Sequence, residues 1–184
     1  MNETLEIIRS EFAQASFETF EMVFISMAAA AVIGTLLGLV LHLTSNPLFY
    51  RNRIINGIAG TIVNIIRSMP FIILIIVLIP VTRILVGTSI GALAASVSLS
   101  IASIAFFARL VENAFSEVDK GVIEAAVAAG AGTFLIIRKV LFVEAMPALV
   151  RALTVTFVSI IGYSAMAGAV GGGGIGNLAI MYGY

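Results

Sequence analysis

The stretch from Met22 to Leu41 reads MVFISMAAAAVIGTLLGLVL and contains no charged residue. An α-helix of about 20 apolar residues is about 30 Å long, which matches the hydrocarbon core of a bilayer. A second uncharged stretch covers 84–108, and a third begins at Ala152. These stretches decide the fold, because they predict helices that cross a membrane.

The composition agrees with a membrane protein and excludes other classes. Of the 184 residues, 60% are hydrophobic and 11% are charged, against about 25% charged residues in a soluble domain. Lys plus Arg and Asp plus Glu are 10 each, so the basic excess of a nucleic-acid binder is missing. Such hydrophobicity excludes a disordered chain. With no cysteine and one histidine, we expect neither a metal site nor an enzyme.

A fourth apolar stretch, 56–80, is interrupted by Arg67 and Pro70. Its second half is too apolar to face water, so we count it as a span. We therefore predict an all-α, polytopic membrane protein that forms one transmembrane domain over 1–184. The four predicted spanning helices are 22–43, 56–80, 84–108 and 149–169.

Three further segments flank these spans. The acidic leader, 1–20, predicts a helix on the outer interface. Residues 109–148 form a long cytoplasmic segment, and 170–184 form a glycine-rich segment on the outer side. Seven of the ten basic residues lie in 51–53 and 109–151. Since basic loops stay in the cytoplasm, this distribution predicts that the N-terminus is outside.

The cytoplasmic segment carries a predicted pair of helices. Residues 121–130 favour a short helix with one acid, Glu124, among small side chains. Gly130 and Gly132 then break the helix, and a second helical stretch leads to Pro147, which is predicted to introduce the last span. One carboxylate on a small-residue face suits a docking site for an arginine of another protein. The alternative is a helix that merely lies on the membrane surface.

Two spans carry polar or adaptable residues that suit a translocation path or gate. A charge at the middle of a span costs at least about 2.5–3.5 kcal/mol, so Arg67 is expected to face protein, water or an interface. The alternatives are that Arg67 snorkels or pairs with a carbonyl group, and that the methionines only pack. The candidate path residues are Asn64, Arg67, Ser68, Met69, Pro70, Ser159, Tyr163 and Met166.

The sequence Glu124-Ala125-Ala126, followed after three residues by Gly130, resembles the EAA motif in permease subunits of bacterial ABC importers. In that family the loop forms coupling helices that seat in a groove of the ATPase subunit. The Leu-Pro pair that ends the family motif is absent, since residues 140–143 read VLFV. The resemblance implies that Glu124, Ala125, Ala126 and Gly130 dock an ATPase.

Four further stretches resemble the permease of methionine importers, and the resemblance extends from about residue 17 to the end. They are NIIRSMPFIIL at 64–74, IPVTR at 79–83, VGTSIG at 86–91 and GGGGIGNLA at 171–179. The family has five spanning helices, against the four counted here.

The resemblance implies a function and an assembly. Two permeases pair with two ATPase subunits that bind ATP and Mg, so this chain carries no cofactor. A lipid-anchored binding protein delivers L- or D-methionine, and the permease homodimer moves it across the bacterial inner membrane by alternating access.

Other functions stay open. One alternative is an ABC permease for a different small polar solute. A secondary transporter or channel is another, although such a protein should have intramembrane carboxylates or internal repeats. A structural scaffold would need no docking helix. The run from Gly171 to Gly176 lacks the Gly-Lys-Ser/Thr ending of a phosphate-binding loop, so this chain is not predicted to hydrolyse ATP itself.

Overall fold

The computed structural model describes the backbone of residues 2–183 and the side chains of residues 10–183. Within that part of the chain, all regular structure is helical. The helices long and apolar enough to cross a membrane are Ser10–Ser45, Ala92–Ser116 and Thr133–Gly172. A bent helix pair supplies a fourth span if it is counted as one. The prediction of an all-α membrane protein is confirmed.

The first span is one long helix with three parts. Helix α1 (Asn2–Ala29) passes through a π-helical turn (Ala30–Gly34) into α2 (Thr35–Ser45). We predicted a separate helix over 1–20, but no helix end lies near residue 20. The reason is local, since no glycine or proline precedes Gly34 and nothing interrupts the helical hydrogen bonds.

The second predicted span is broken at Pro70. Helix α3 (Arg53–Ser68) ends there because proline disfavours helical backbone at the residue before it, and Met69 is extended. The chain turns by 113° into α4 (Phe71–Val77). Helix α5 (Ile79–Val86) follows. The predicted span 56–80 is therefore two helices that meet at a sharp angle.

The third span is α6 (Ala92–Ser116), which lies eight residues later than the predicted range 84–108. Gly87 and Gly91 have positive φ angles of 80° and 100°. This backbone suits glycine and ends a right-handed helix, so the residues before Ala92 belong to α5 and a turn.

The segment 109–148, which the charge pattern assigns to the cytoplasm, contains one separate helix, α7 (Lys120–Ala128), as predicted. Helix α8 (Thr133–Ile136) instead runs through a π-helical turn (Ile137–Leu141) into α9 (Phe142–Ala167). The last span thus begins well before residue 149.

Pro147 lies inside α9 and does not introduce it. Leu141, Ala145 and Leu149 are all buried, so one apolar face continues on both sides of the proline. Packing of this face outweighs the local cost of a proline in a helix.

The glycine-rich segment is folded. A π-helical turn (Gly168–Gly172) ends at Gly173 and Gly174, which have positive φ angles of 77° and 74°. The chain then forms α10 (Gly174–Tyr182), which packs against α1. The predicted outer segment is therefore mostly a short helix.

Helix α6 is the centre of the molecule and packs against α1, α2, α3 and α9. Small residues let the helices approach closely. An added Cβ at Gly38 would lie 2.6 Å from the carbonyl oxygen of Ala108 and 2.7 Å from Cβ of Val111. The glycine is therefore required by the contact between α2 and α6.

Candidate functional site

Helix α7 is bounded by two local signals. The Asp119 side chain caps its start by accepting a hydrogen bond of 2.6 Å from the Gly121 N–H. Its end is fixed by Gly130, whose φ is +82°, and by the Ala131 N–H, which donates to the Ala126 carbonyl at 3.0 Å. Both ends of α7 are therefore defined by its own residues.

One side chain anchors α7 to the protein. Ile123 is 1% exposed and belongs to a buried cluster with Phe115, Val118, Ile136 and Leu141. This cluster joins the end of α6, helix α7 and the start of the last span. The anchor holds α7 against the rest of the domain as a fixed projection.

The rest of α7 faces outward. Glu124, Ala125 and Gly130 are exposed, and Ala126 is half-buried. Within the described chain the Glu124 carboxylate has neither an ion-pair nor a hydrogen-bond partner. The exposed large apolar side chains nearby in sequence are Val122, Val127, Phe134 and Leu135. A free carboxylate beside exposed apolar side chains is typical of a protein-docking surface.

Three of the predicted path residues meet in a second place. Arg67, Met69 and Tyr163 line a pocket of about 160 Å³. The pocket lies where α3 breaks into α4, against α6 and α9. The structure thus brings together residues from the second and the last predicted spans.

Aromatic rings form much of this pocket. The rings of Phe71 and Tyr163 stack with their centroids 4.9 Å apart and an angle of 17° between planes. The Arg67 guanidinium lies 6.0 Å from the centre of the Phe106 ring, which is within the range of a cation–π contact. Sequence reasoning missed Phe71 and Phe106. The sequence did contain a signal for Phe71 as a pocket residue, because Phe71 directly follows Met69 and Pro70, where the helix breaks.

The other predicted path residues do not line this pocket. Ser68 and Ser159 donate hydrogen bonds to carbonyl groups of their own helices, at 2.9 Å to Ile65 and 2.8 Å to Val155. Such bonds satisfy the hydroxyls locally. The remaining three residues, Asn64, Pro70 and Met166, are exposed on the surface of the single chain.

A half-buried ion pair within α6 positions an arginine that reaches α3. Arg109 Nη1 lies 2.5 Å from Glu112 Oε2, and Arg109 Nη2 donates to the Gly60 carbonyl at 3.0 Å. The second bond links α6 to α3, because Gly60 has no side chain to keep the guanidinium away.

Away from α7, side chains of α1 cap the start of α10. Glu18 accepts a hydrogen bond from the Gly174 N–H at 2.7 Å, and Thr19 accepts one from the Ile175 N–H at 2.9 Å. The Tyr182 hydroxyl donates to Glu11 at 2.6 Å. This hydrogen bond and the negative charge of Glu11 raise the pKa of the Tyr182 phenol above its ordinary value. The glycine-rich segment is therefore held against α1 by three hydrogen bonds.

Apolar spans, a projecting helix with an unpaired carboxylate and a pocket at a helix break are together typical of a membrane transport subunit. The chain belongs to the family of binding-protein-dependent transport system inner membrane components, whose sequence model matches residues 30–182. The predictions of a transport subunit and of a non-enzymatic chain are confirmed.

Individual relatives are similar over most of their length. The chain is 50% identical over 169 residues to the probable D-methionine transport system permease protein MetI of Pasteurella multocida, covering 92% of this chain and 78% of the relative. It is 52% identical over 175 residues to the methionine import system permease protein MetP of Bacillus subtilis, covering 95% and 79%.

A solved structure has the same fold. An inward-facing conformation of the MetNI methionine ABC transporter, in its native crystal form, matches with a TM-score of 0.93 and 45% identity. The match covers 97% of this chain and 83% of the other.

Proposed function

We propose that this chain is the permease subunit of an ATP-driven importer that moves methionine across the bacterial inner membrane by alternating access. The observation that carries the proposal is the 50% and 52% identity to permeases whose names specify D-methionine transport and methionine import. The solved relative is likewise a methionine ABC transporter. Both enantiomers are proposed as substrates.

We propose that two copies of this chain assemble with two ATPase subunits, which bind ATP and Mg. The surface of α7 around Glu124 supports this assembly, because it combines a free carboxylate with exposed apolar residues on a rigidly held helix. In this assembly Glu124, Ala125, Ala126 and Gly130 contact the ATPase and transmit its motion.

We propose that the N-terminus lies outside and that a lipid-anchored methionine-binding protein docks on that side. The charge distribution supports this topology, since the leader is acidic and most basic residues fall in the two segments assigned to the cytoplasm. The ends of α1 and α10 then form the outer surface.

The translocation path is proposed to follow the broken second span and the last span. The pocket lined by Arg67, Met69 and Tyr163 supports this path. A homodimer would bring two such pockets to one assembly, and alternating access moves helix bundles against each other around a site that broken helices such as this one typically form. Further path or gate residues are proposed to be Asn64, Ser68, Ser159 and Met166.

Uptake of radiolabelled methionine tests the function. Deletion of the gene is expected to reduce uptake of ³⁵S-methionine in methionine-starved cells, and expression of the intact chain is expected to restore it. As a control, other small polar solutes are added unlabelled and compared with unlabelled methionine as competitors of the uptake. Unchanged uptake after deletion, or stronger competition by another solute, would favour the alternative of a permease with a different substrate.

A further inference from the structure

Arg67 is a charged group without a counter-ion in the described part of the chain. It has no ion pair and no hydrogen bond there, and its one recorded contact is with the Phe106 ring. It also lies in the apolar second span, two residues before Met69. By contrast, Arg109 is paired with Glu112 and with the Gly60 carbonyl. An unpaired guanidinium that is exposed on the single chain has its charge and its five N–H donors available for a ligand.

The pocket beside Arg67 suits a small molecule with an apolar end. Its volume of about 160 Å³ is close to the roughly 150 Å³ of a protein cavity that binds benzene. Phe71 and Leu74 are buried in its wall, at 7% and 4% exposure. The Tyr163 hydroxyl, also on the wall, has no hydrogen-bond partner among the described residues. The pocket therefore combines one cation, one free hydroxyl and apolar walls.

We propose that this pocket is a binding subsite for the transported amino acid within the permease, with Arg67 binding the carboxylate and the aromatic walls receiving the side chain. Arginine and a carboxylate form paired hydrogen bonds of fixed geometry. A thioether makes favourable contacts with aromatic rings, which Phe71, Phe106 and Tyr163 supply. This inference rests on the proposed function, because it takes the substrate to be methionine.

A phosphate group of a membrane lipid offers similar chemistry to Arg67, since it is also an oxyanion. We assign the amino acid because the guanidinium adjoins a pocket of about 160 Å³ whose aromatic walls suit a small apolar side chain. Vesicles of two lipid compositions distinguish a lipid phosphate from the amino acid as the ligand of Arg67. The effect of changing Arg67 is expected to be the same in phosphatidylcholine alone and in phosphatidylcholine with added phosphatidylglycerol.

The test uses the complete complex with its ATPase and binding protein, reconstituted in vesicles. R67Q is expected to reduce ³⁵S-methionine uptake at least about tenfold, the size expected for loss of a charged hydrogen bond. R67K keeps the charge but loses the paired geometry, so it should raise the methionine concentration for half-maximal uptake. R83Q is the matched control. Arg83 is also exposed, but it lies in α5, contacts Ser89 at 3.5 Å and does not line the pocket.

ATP hydrolysis separates a substrate site from a folding defect. R67Q and R67K are expected to keep the ATPase rate that the binding protein stimulates, because the docking helix α7 is unchanged. The inference is overturned if both variants import methionine like the wild type, or if the loss appears only with phosphatidylglycerol. It is also overturned if uptake and ATP hydrolysis fall together in R67K. Failure of the wild type to import methionine would instead refute the proposed function.

Discussion

At the scale of single residues, three charged side chains have different roles because of what surrounds them. Arg109 is paired with Glu112 and links two helices. Glu124 and Arg67 have no such partners in the described structure. Each of these two lies at a candidate site, one on the docking helix and one on the pocket. What identifies both sites is an unpaired charge together with its surroundings, exposed apolar side chains for Glu124 and a partly aromatic pocket for Arg67, since Glu144 also lacks a recorded partner.

Reversal of the charge at Glu124 tests the docking role. Glu124→Lys is expected to reduce the ATPase subunit that co-purifies with the permease at least about tenfold, because a charged hydrogen bond contributes about 1.5–3 kcal/mol. Glu144→Lys is the matched control, since Glu144 is also exposed but lies on α9. If both variants lose the ATPase subunit equally, the change in net charge explains the loss, and a specific contact at Glu124 is contradicted.

At the scale of elements, the helices are set by breaks and by close packing. Pro70 divides the second span, and positive φ angles at Gly87 and Gly91 delay the start of α6. The long first helix approaches α6 through Gly38, where no side chain could fit without displacing the neighbouring backbone. Since α6 also carries Ala102 and Phe106, which line the pocket, the position of α6 determines part of the geometry of the pocket.

Substitution of Gly38 tests this packing. Gly38→Ala is expected to destabilise the protein by about 1–3 kcal/mol, because the added methyl group would overlap Ala108 and Val111. Gly57→Ala is the control, since nothing lies within 4 Å of that position in α3. Alanine is the better helix former, so this control should gain up to about 1 kcal/mol. Thermal unfolding of the purified variants in detergent measures both changes, and a Gly38→Ala midpoint at or above that of Gly57→Ala would contradict the contact.

At the scale of the whole molecule, a net charge of zero conceals a division between two sides. Residues 1–21 carry five acids and one base, whereas 51–53 carries two bases and no acid, and 109–151 carries five of each. The docking helix α7 and the capped helix α10 belong to different ends of the predicted topology. We therefore expect the ATPase and the binding protein to approach from opposite faces of the membrane.

The absence of cysteine from the sequence makes the topology easy to measure. Single variants Ala13→Cys, on α1, and Ala129→Cys, after α7, place one exposed thiol near each end. A membrane-impermeant maleimide should label Ala13→Cys in intact spheroplasts and Ala129→Cys only after lysis. The cysteine-free parent is the control for background. Labelling in the reverse pattern would mean that the N-terminus is in the cytoplasm.

The sequence by itself determined the class of fold, because uncharged stretches of about 20 residues have few stable forms other than membrane helices. It also determined helix α7, predicted over 121–130, since Gly130 ends this helix through local backbone chemistry. The motif around Glu124 could likewise be recognised from the sequence alone. These features depend on neighbours along the chain.

Only the tertiary structure decided which residues meet. Tyr163 and Phe71 are far apart in sequence, yet their rings stack beside Arg67. Ser159 and Met166 share a similar spacing with Tyr163 but stay outside the pocket. Pro147 marked a predicted helix start, and packing of α9 on the core kept it inside the helix. Such outcomes follow from contacts between distant segments, whose energies exceed local preferences.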